Sequence, residues 1–89
     1  MKISDEDVDI AGFRLAIGKH IERVRKSKGM SQDRVTNESG ISRGALSKIE
    51  RGMTDPKSST LFRIAAVLGI PAKRLLDFKF ELELDHKRR

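Results

Sequence analysis

The first clear pattern in the chain is an apolar residue at every third or fourth position from residue 10 onward. The apolar residues of this stretch are Ile10, Phe13, Ile17, Ile21 and Val24. Steps of three and four place them on one side of an α-helix, so the pattern predicts a helix with one buried face. Gly29 ends this predicted helix, and Met30 is positioned to make the apolar contact that accompanies a glycine C-cap.

Two shorter helices with a glycine between them are predicted next. Ser31 can cap the second helix, with Asp33 favourable in its first turn and Val35 facing inward. Gly40 ends this helix, and Ser42 caps a third one. The apolar residues of the turn and of the third helix are Ile41, Leu46 and Ile49. Two short helices joined by a turn of three or four residues form a helix-turn-helix.

The remaining helical pattern follows a loop. Residues 52–57 contain Gly, Asp and Pro and are predicted to be that loop. Ser58 or Ser59 caps a fourth helix, which Gly69 ends, and Pro71 suits the first turn of a short fifth helix. The apolar positions of these two helices are Leu61, Ile64, Ala65 and Leu68, followed by Leu75 and Leu76.

After Asp77 the apolar period changes to two. The apolar residues that alternate with charged ones over residues 78–85 are Phe78, Phe80, Leu82 and Leu84. Alternation predicts a β-strand with one apolar face. A lone strand cannot satisfy its own backbone groups, so we expect it to pair with its copy in a second subunit. The alternative is a helix or coil that packs on its own domain, because Glu, Leu and Lys are good helix formers.

Charge is distributed unevenly along the chain, whose net charge is +6. Residues 1–9 carry four acids without periodicity and are interpreted as a flexible acidic arm, and residues 86–89 as a basic tail. Between Arg14 and Arg74, fourteen Lys or Arg residues stand against five acids. Such an excess attracts a polyanion, nucleic acid first and an anionic membrane second.

Length and composition exclude several kinds of protein. The 89 residues suit one compact domain with a modest core, and without cysteine no disulfide can stabilise it, so we expect a homodimer. The absence of cysteine and the two isolated histidines leave no expected metal site or cofactor. No apolar run approaches the roughly 20 residues of a bilayer span, so a cytoplasmic location away from the membrane is expected.

A specific order of cap, turn and core residues runs through residues 13–77. In chain order it reads Ile17-Gly18, Ile21, Arg25, Gly29-Met30-Ser31-Gln32, Val35, Gly40-Ile41-Ser42, Leu46, Ile49-Glu50-Arg51-Gly52, Pro56, Leu61, Ile64-Ala65, Leu68-Gly69-Ile70 and Leu75-Leu76. This order resembles the Cro/C1-type (XRE) helix-turn-helix family. The resemblance implies an all-α, five-helix, lambda-repressor-like domain over residues 10–77, whose third helix enters the major groove of double-stranded DNA.

The resemblance also assigns roles to individual residues. The positions that face bases on the third helix are Arg43, Gly44, Ser47 and Lys48. Arg43 is the best reader, because an arginine can donate two hydrogen bonds to one guanine. Lys48 either reads a guanine or binds a phosphate. Gly44 is a departure from the family pattern, because glycine is a poor helix former. It either allows close approach of the backbone to DNA or is neutral.

Further positions match the phosphate-binding and structural residues of the family. Those expected at DNA phosphates are Gln32, Ser42, Arg51, Thr54 and Lys57. Arg25 and Glu50 match a pair that joins the first helix to the third. Thr36 stands where the family usually has alanine, so its hydroxyl needs a local partner, such as a carbonyl one turn back.

Two functions from different classes fit this sequence. The first is a homodimeric regulator, a repressor in the simplest case, on a palindromic operator. The second is an antitoxin of the HipB type, which binds a toxin protein and represses its own operon; a restriction-modification controller is a further candidate of similar size. An enzyme is not supported, because no nucleophile, paired acid or ligand cluster stands in a recognisable arrangement. RNA binding is disfavoured because the four aromatic residues are all Phe at core or strand positions.

Overall fold

The structure, a computed structural model, describes residues 2–4 and 6–80 and is helical throughout its regular part. Its elements in chain order are α1 (Ile10–Ser27), α2 (Gln32–Ser39), α3 (Arg43–Glu50), α4 (Ser58–Leu68) and a 3₁₀ helix (Ala72–Leu76). The described residues contain no β-strand. The helix-turn-helix predicted from the sequence is formed by α2 and α3.

The ends of α1 are fixed by the residues that the pattern predicts. Asp9 caps the N-terminus, where its Oδ1 accepts a hydrogen bond from the Gly12 N–H at 2.8 Å. At the other end Gly29 has φ +70° and donates to the Lys26 carbonyl, while the Met30 N–H donates to the Arg25 carbonyl. This pair of bonds is a Schellman motif, so the predicted glycine stop is confirmed.

Serine hydroxyls begin both helices of the helix-turn-helix. The Oγ of Ser31 accepts from the Arg34 N–H at 3.0 Å, and the Oγ of Ser42 accepts from the Ala45 N–H at 3.0 Å. Both predicted caps are confirmed. The prediction of a serine cap on α4 is wrong: Ser58 is already the first helical residue, and Lys57 occupies the cap position without a side-chain bond.

The core draws on every helix. Its buried apolar side chains are Ile17, Ile21, Val35, Leu46, Ile49, Leu61, Ile64, Ala65, Leu68 and Leu75. All of them belong to the apolar positions predicted from the sequence, because three- and four-residue spacing turns one stripe of each helix inward. Among the described helices, none combines the length and the apolar character that a membrane span requires.

The last helical element is shorter than a regular α-helix. The predicted fifth helix is a single 3₁₀ segment, which begins after Pro71 with the Arg74 N–H donating to the Pro71 carbonyl at 3.0 Å. Leu75 is fully buried, whereas Leu76 is about half exposed. A five-residue segment with one anchor into the core gains little from a full α-helical turn, and 3₁₀ geometry is common in such short pieces.

Two phenylalanines after the 3₁₀ helix fold back onto α1. The ring centroid of Phe78 lies 5.6 Å from that of Phe13 and 5.3 Å from that of His20, and the Phe80 ring lies 5.5 Å from Phe13. Residues 78–80 are not a strand in this chain, so the predicted strand over residues 78–85 is not confirmed for the part that the structure describes. Within this chain Phe13 gives both rings an aromatic contact, while Phe80 stays 36% exposed. Leu82 and Leu84 lie outside the described residues.

The described end of the acidic arm forms a turn just before α1. Asp7 is buried, and its carboxylate accepts from the Ser4 backbone N–H at 2.9 Å and from the Ser4 hydroxyl. The Asp7 N–H in turn donates to the Ser4 carbonyl at 3.0 Å. This turn leads directly into the Asp9 cap, and the flexibility of the rest of the arm stays a prediction.

Candidate DNA-binding surface

Helix α3 has one face in the core and one face in solvent. Leu46, Ile49 and Glu50 are buried on the inner face. Arg43, Gly44 and Lys48 are exposed on the outer face, and Ser47 is half-buried beside them. The four residues predicted to face bases therefore share the side of α3 that is not used for folding.

The side chain of Arg43 lies across the start of α2. Its Nε donates to Oε1 of Gln32 at 2.9 Å, and its Nη1 forms an ion pair with Oδ1 of Asp33. The structure thus brings together Arg43 and Gln32, which the sequence assigns separately to a base and to a phosphate. The sequence did not single out Asp33 for this role, because ten residues and a turn separate it from Arg43.

Gln32 connects this exposed pair to a buried one. Its Nε2 donates to Oε1 of Glu50 at 2.8 Å. A carboxylate only accepts hydrogen bonds and a guanidinium only donates them, so a single orientation of the Gln32 amide serves both Glu50 and Arg43. The amide of Gln32 is therefore held in one orientation at the N-terminus of α2, where a phosphate is expected to bind.

The predicted pair between α1 and α3 is present and buried. Nε and Nη2 of Arg25 donate to the two oxygens of Glu50 at 2.7 and 2.9 Å, and Nη1 donates to the Met30 carbonyl at 2.7 Å. The hydrogen bond to Glu50 raises the pKa of Arg25, burial opposes this, and the charges of Glu50 and Glu22 add to it. Glu50 thus joins α1, α2 and α3 at one point.

The backbone of α1 passes very close to the end of α3 at Gly18. A Cβ on Gly18 would lie 2.3 Å from the carbonyl oxygen of Ile49 and 2.8 Å from that of Glu50. Only glycine allows this approach without a shift of the backbone. The contact fixes how far α3 stands from α1, and therefore the position of its outer face.

Of the two departures from the family pattern, the structure explains the one at Thr36. The hydroxyl of buried Thr36 donates to the Asp33 carbonyl at 3.0 Å, which confirms the expected partner within α2. At Gly44 a Cβ would meet nothing within 4 Å. The absence of a side chain at Gly44 is therefore not required by packing in the free protein.

The loop between α3 and α4 carries the second set of predicted phosphate contacts. Arg51 and Lys57 are exposed and Thr54 is half-buried. The loop is tied to α1 by Arg14, whose Nε and Nη2 each donate to a different oxygen of Asp55 at 2.7 Å. The hydrogen bond from Arg14 lowers the pKa of Asp55, burial opposes this, and the charge of Arg14 adds to it. Neither partner of this pair was singled out from the sequence, because Asp55 stands in an irregular loop 41 positions from Arg14.

The residues expected to meet phosphates keep groups that can donate. The Ser42 hydroxyl accepts the cap bond of α3, which leaves its own O–H as a donor. Lys57 stands at the start of α4, where free backbone N–H groups add to its charge.

Within residues 2–4 and 6–80, no group of three His, Cys, Asp or Glu side chains is arranged to hold a metal ion.

The comparisons with known proteins agree with this geometry. The helix-turn-helix family model HTH_3 matches residues 21–75. The transcriptional regulator SinR of Bacillus subtilis is 39% identical over 70 residues, which are 78% of this chain and 63% of SinR. This chain therefore spans less than two thirds of the length of that relative.

Two solved structures share the fold. The crystal structure of SinR, the master regulator for biofilm formation, in complex with DNA superposes with a TM-score of 0.64 at 37% identity, covering 68% of this chain and 98% of that one. The restriction-modification controller protein C.AhdI from Aeromonas hydrophila superposes with a TM-score of 0.66 at 26% identity, covering 68% and 92%. The chain belongs to the HTH_3 helix-turn-helix family, and its resemblance to the Cro/C1-type (XRE) regulators is confirmed.

Proposed function

We propose that this protein is a transcriptional regulator that binds double-stranded DNA in a sequence-specific manner through the outer face of α3. The observation that carries the proposal is the division of α3, whose inner residues are buried in the core while its outer ones stay exposed. A recognition helix needs such a division, because the groups that read bases cannot also pack the fold.

Charge and side-chain chemistry support the same function. Arg43 offers a planar fork of donors that suits the O6 and N7 atoms of guanine, and Lys48 adds a charge for a second base or a phosphate. Gln32 and Ser42 at the helix starts, with Arg51, Thr54 and Lys57 in and beside the following loop, offer donors for the backbone. In this arrangement the phosphate contacts orient the protein and the α3 contacts select the sequence.

The regulator acts in this proposal as a homodimer in the cytoplasm, on a palindromic operator with half-sites about one helical turn apart. We place the dimer interface on the alternating apolar residues Phe78, Phe80, Leu82 and Leu84, the first two of which also contact Phe13 within one chain. Leu82→Arg should give monomers in analytical ultracentrifugation. A dimer that persists in this variant would exclude this segment as the main interface.

The antitoxin alternative has less support. The relatives reported above are named as a transcriptional regulator and a controller protein, and SinR was solved with DNA. Both are regulatory proteins rather than enzymes, in agreement with the regulator proposed here. No described feature of this chain favours a toxin as partner.

Selection of bound sequences from a random DNA library tests the proposal. The wild-type protein should enrich one palindromic motif, and Arg43→Ala should lose the preference at one position of each half-site, worth about 1–3 kcal/mol. Lys57→Ala serves as the matched comparison. It should weaken binding to all sequences alike and reduce the slope of log K against log salt concentration by about one. Failure of the wild-type protein to enrich any motif would overturn the proposal.

A further inference from the structure

The guanidinium of Arg43 is already oriented in the free protein. An arginine has five N–H groups, and here one on Nε is directed to Gln32 and one on Nη1 to Asp33. The second N–H of Nη1 and both of Nη2 have no protein partner among the described residues. These three N–H groups remain as donors for a base, so the contacts with Gln32 and Asp33 do not use up the guanidinium.

The location of Asp33 gives the contact its significance. Asp33 lies in the first turn of α2 with a side chain that is 70% exposed, and Arg43 lies at the start of α3 with 58% exposed. An exposed acid on a surface that meets phosphates repels DNA of any sequence. On the correct sequence alone, the affinity gained from an Arg43 side chain that is already oriented offsets this repulsion.

We propose that Asp33 is a positioning residue, which holds the Arg43 guanidinium in the orientation that reads guanine. The inference rests on the proposed function, in which Arg43 reads a base. A long side chain that is ordered before binding loses less conformational entropy when it meets its base. Asp33 thus strengthens the preference for guanine and at the same time weakens binding to unrelated DNA.

The variant Asp33→Asn separates these two effects. It removes the charge that orients Arg43 and also the charge that repels phosphate. Its preference for the operator over the same duplex with adenine at the guanine position should fall about three- to tenfold. Its affinity for unrelated DNA should rise severalfold at low salt. A purely structural role of Asp33 would change neither the base preference nor the affinity for unrelated DNA.

Glu38→Gln is the matched control. Glu38 lies on the same helix, is exposed, and pairs with Arg34 through an Nε to Oε2 contact of 2.9 Å. The control removes the same charge from α2 without touching Arg43. Binding of the full chain to the three duplexes is measured by fluorescence anisotropy, and thermal unfolding of each variant shows that it is folded.

The outcomes are distinct. A fall in base preference for Asp33→Asn beyond that of Glu38→Gln supports the inference. Operator affinity that rises as much as affinity for unrelated DNA would overturn it, because Asp33 would then only compete for Arg43. Equal behaviour of the two variants would overturn it as well, since Asp33 would then act only on the α2 N-terminus.

The Arg43→Ala background distinguishes this inference from the proposed function. If Arg43→Ala lowers the preference but Asp33→Asn does not, the positioning role alone is wrong. If Arg43→Ala leaves the preference intact, base reading by Arg43 is wrong and the positioning role fails with it. Within the Arg43→Ala protein, Asp33→Asn should change base preference no more than Glu38→Gln does.

Discussion

On its inner face α3 meets α1 through Glu50 and the backbone beside Gly18, and on its outer face it presents Arg43 and Gly44 to solvent. Both faces contain an arginine–carboxylate pair, Arg25 with Glu50 inside and Arg43 with Asp33 outside. In the inner pair the two side chains are 8% and 2% exposed, and in the outer pair 58% and 70%. Both faces also involve one glycine, which is tightly packed at Gly18 and open at Gly44.

The comparison shows that residue type does not decide what a contact does. A buried pair cannot lose one partner without leaving an uncompensated charge in the core, so it determines whether the domain folds. An exposed pair stays largely solvated and contributes little to stability, so it can serve recognition without deciding whether the domain folds. The predictions below test this division between the two faces, from the largest expected effect to the smallest.

Glu50→Gln should produce the largest effect. It leaves the buried charge of Arg25 without its main partner and should lower the free energy of unfolding by about 3–5 kcal/mol. Urea denaturation followed by circular dichroism measures this. Asp55→Asn is the control, because it breaks an equally close but exposed pair with Arg14. Equal losses in the two variants would contradict the division between buried and exposed pairs.

Gly18→Ala should be the next most harmful change. The new methyl group would lie 2.3 Å from the Ile49 carbonyl oxygen, so α1 and α3 must separate. Overpacking of this kind destabilises by about 1–3 kcal/mol, and the urea midpoint measures it. Since α3 moves with its outer face, operator affinity should fall as well. A variant with wild-type stability would show that the junction tolerates a shift.

Gly44→Ala is the same substitution on the outer face and should have the opposite sign. Nothing lies within 4 Å of the added Cβ, and alanine is the better helix former by about 1 kcal/mol. For a domain of this size the melting temperature should rise by about 4–8 °C. A fall in melting temperature would mean that the outer face of α3 is packed after all.

The smallest effect concerns acid stability through Asp55. The hydrogen bond from Arg14 lowers the pKa of Asp55 in the folded protein. The pair therefore stabilises the fold at pH values above the ordinary pKa of the carboxyl, and this contribution is lost as the pH falls through the lowered value. Asp55→Asn should thus be less stable than the wild type at neutral pH and equally stable in strong acid. A carboxyl titration by NMR with an unshifted midpoint would contradict this.

The helices could be predicted from the sequence because local patterns determine them. Apolar spacing identified every core residue, and Ser31, Gly29 and Gly40 identified helix ends through bonds that span three to five positions. The start of α4 was misassigned because serine is a preferred N-cap by type, whereas Lys57 takes the cap position by its backbone conformation, without a side-chain bond.

The tail could not be predicted in the same way. Alternation at Phe78 and Phe80 records only that one face is apolar, not which surface covers it. The surface that the two rings contact includes Phe13, which the sequence had assigned to the buried stripe of α1 and which is in fact 38% exposed. A strand and a coil that folds back satisfy the same pattern, and the tertiary position of α1 decides between them for residues 78–80.

The candidate site likewise contains residues that local sequence patterns predict and residues that only tertiary contacts reveal. The residues on α3 and the Arg25–Glu50 pair followed from the family pattern, and the structure places them on the expected faces. Asp33 and Asp55 did not, because each acts on an arginine that is distant in sequence. Such partners become visible only when the two helices, or the helix and the loop, are placed together.

The open position at Gly44 has an evolutionary consequence. Any side chain placed there would project from the exposed face of α3, away from the core, so a mutation can add a new contact without a compensating change elsewhere. Gly18 has no such freedom. Under the function proposed above, a duplicated copy of this protein could therefore diverge in its target sequence through substitutions at residue 44, where an added Cβ meets no neighbouring atom.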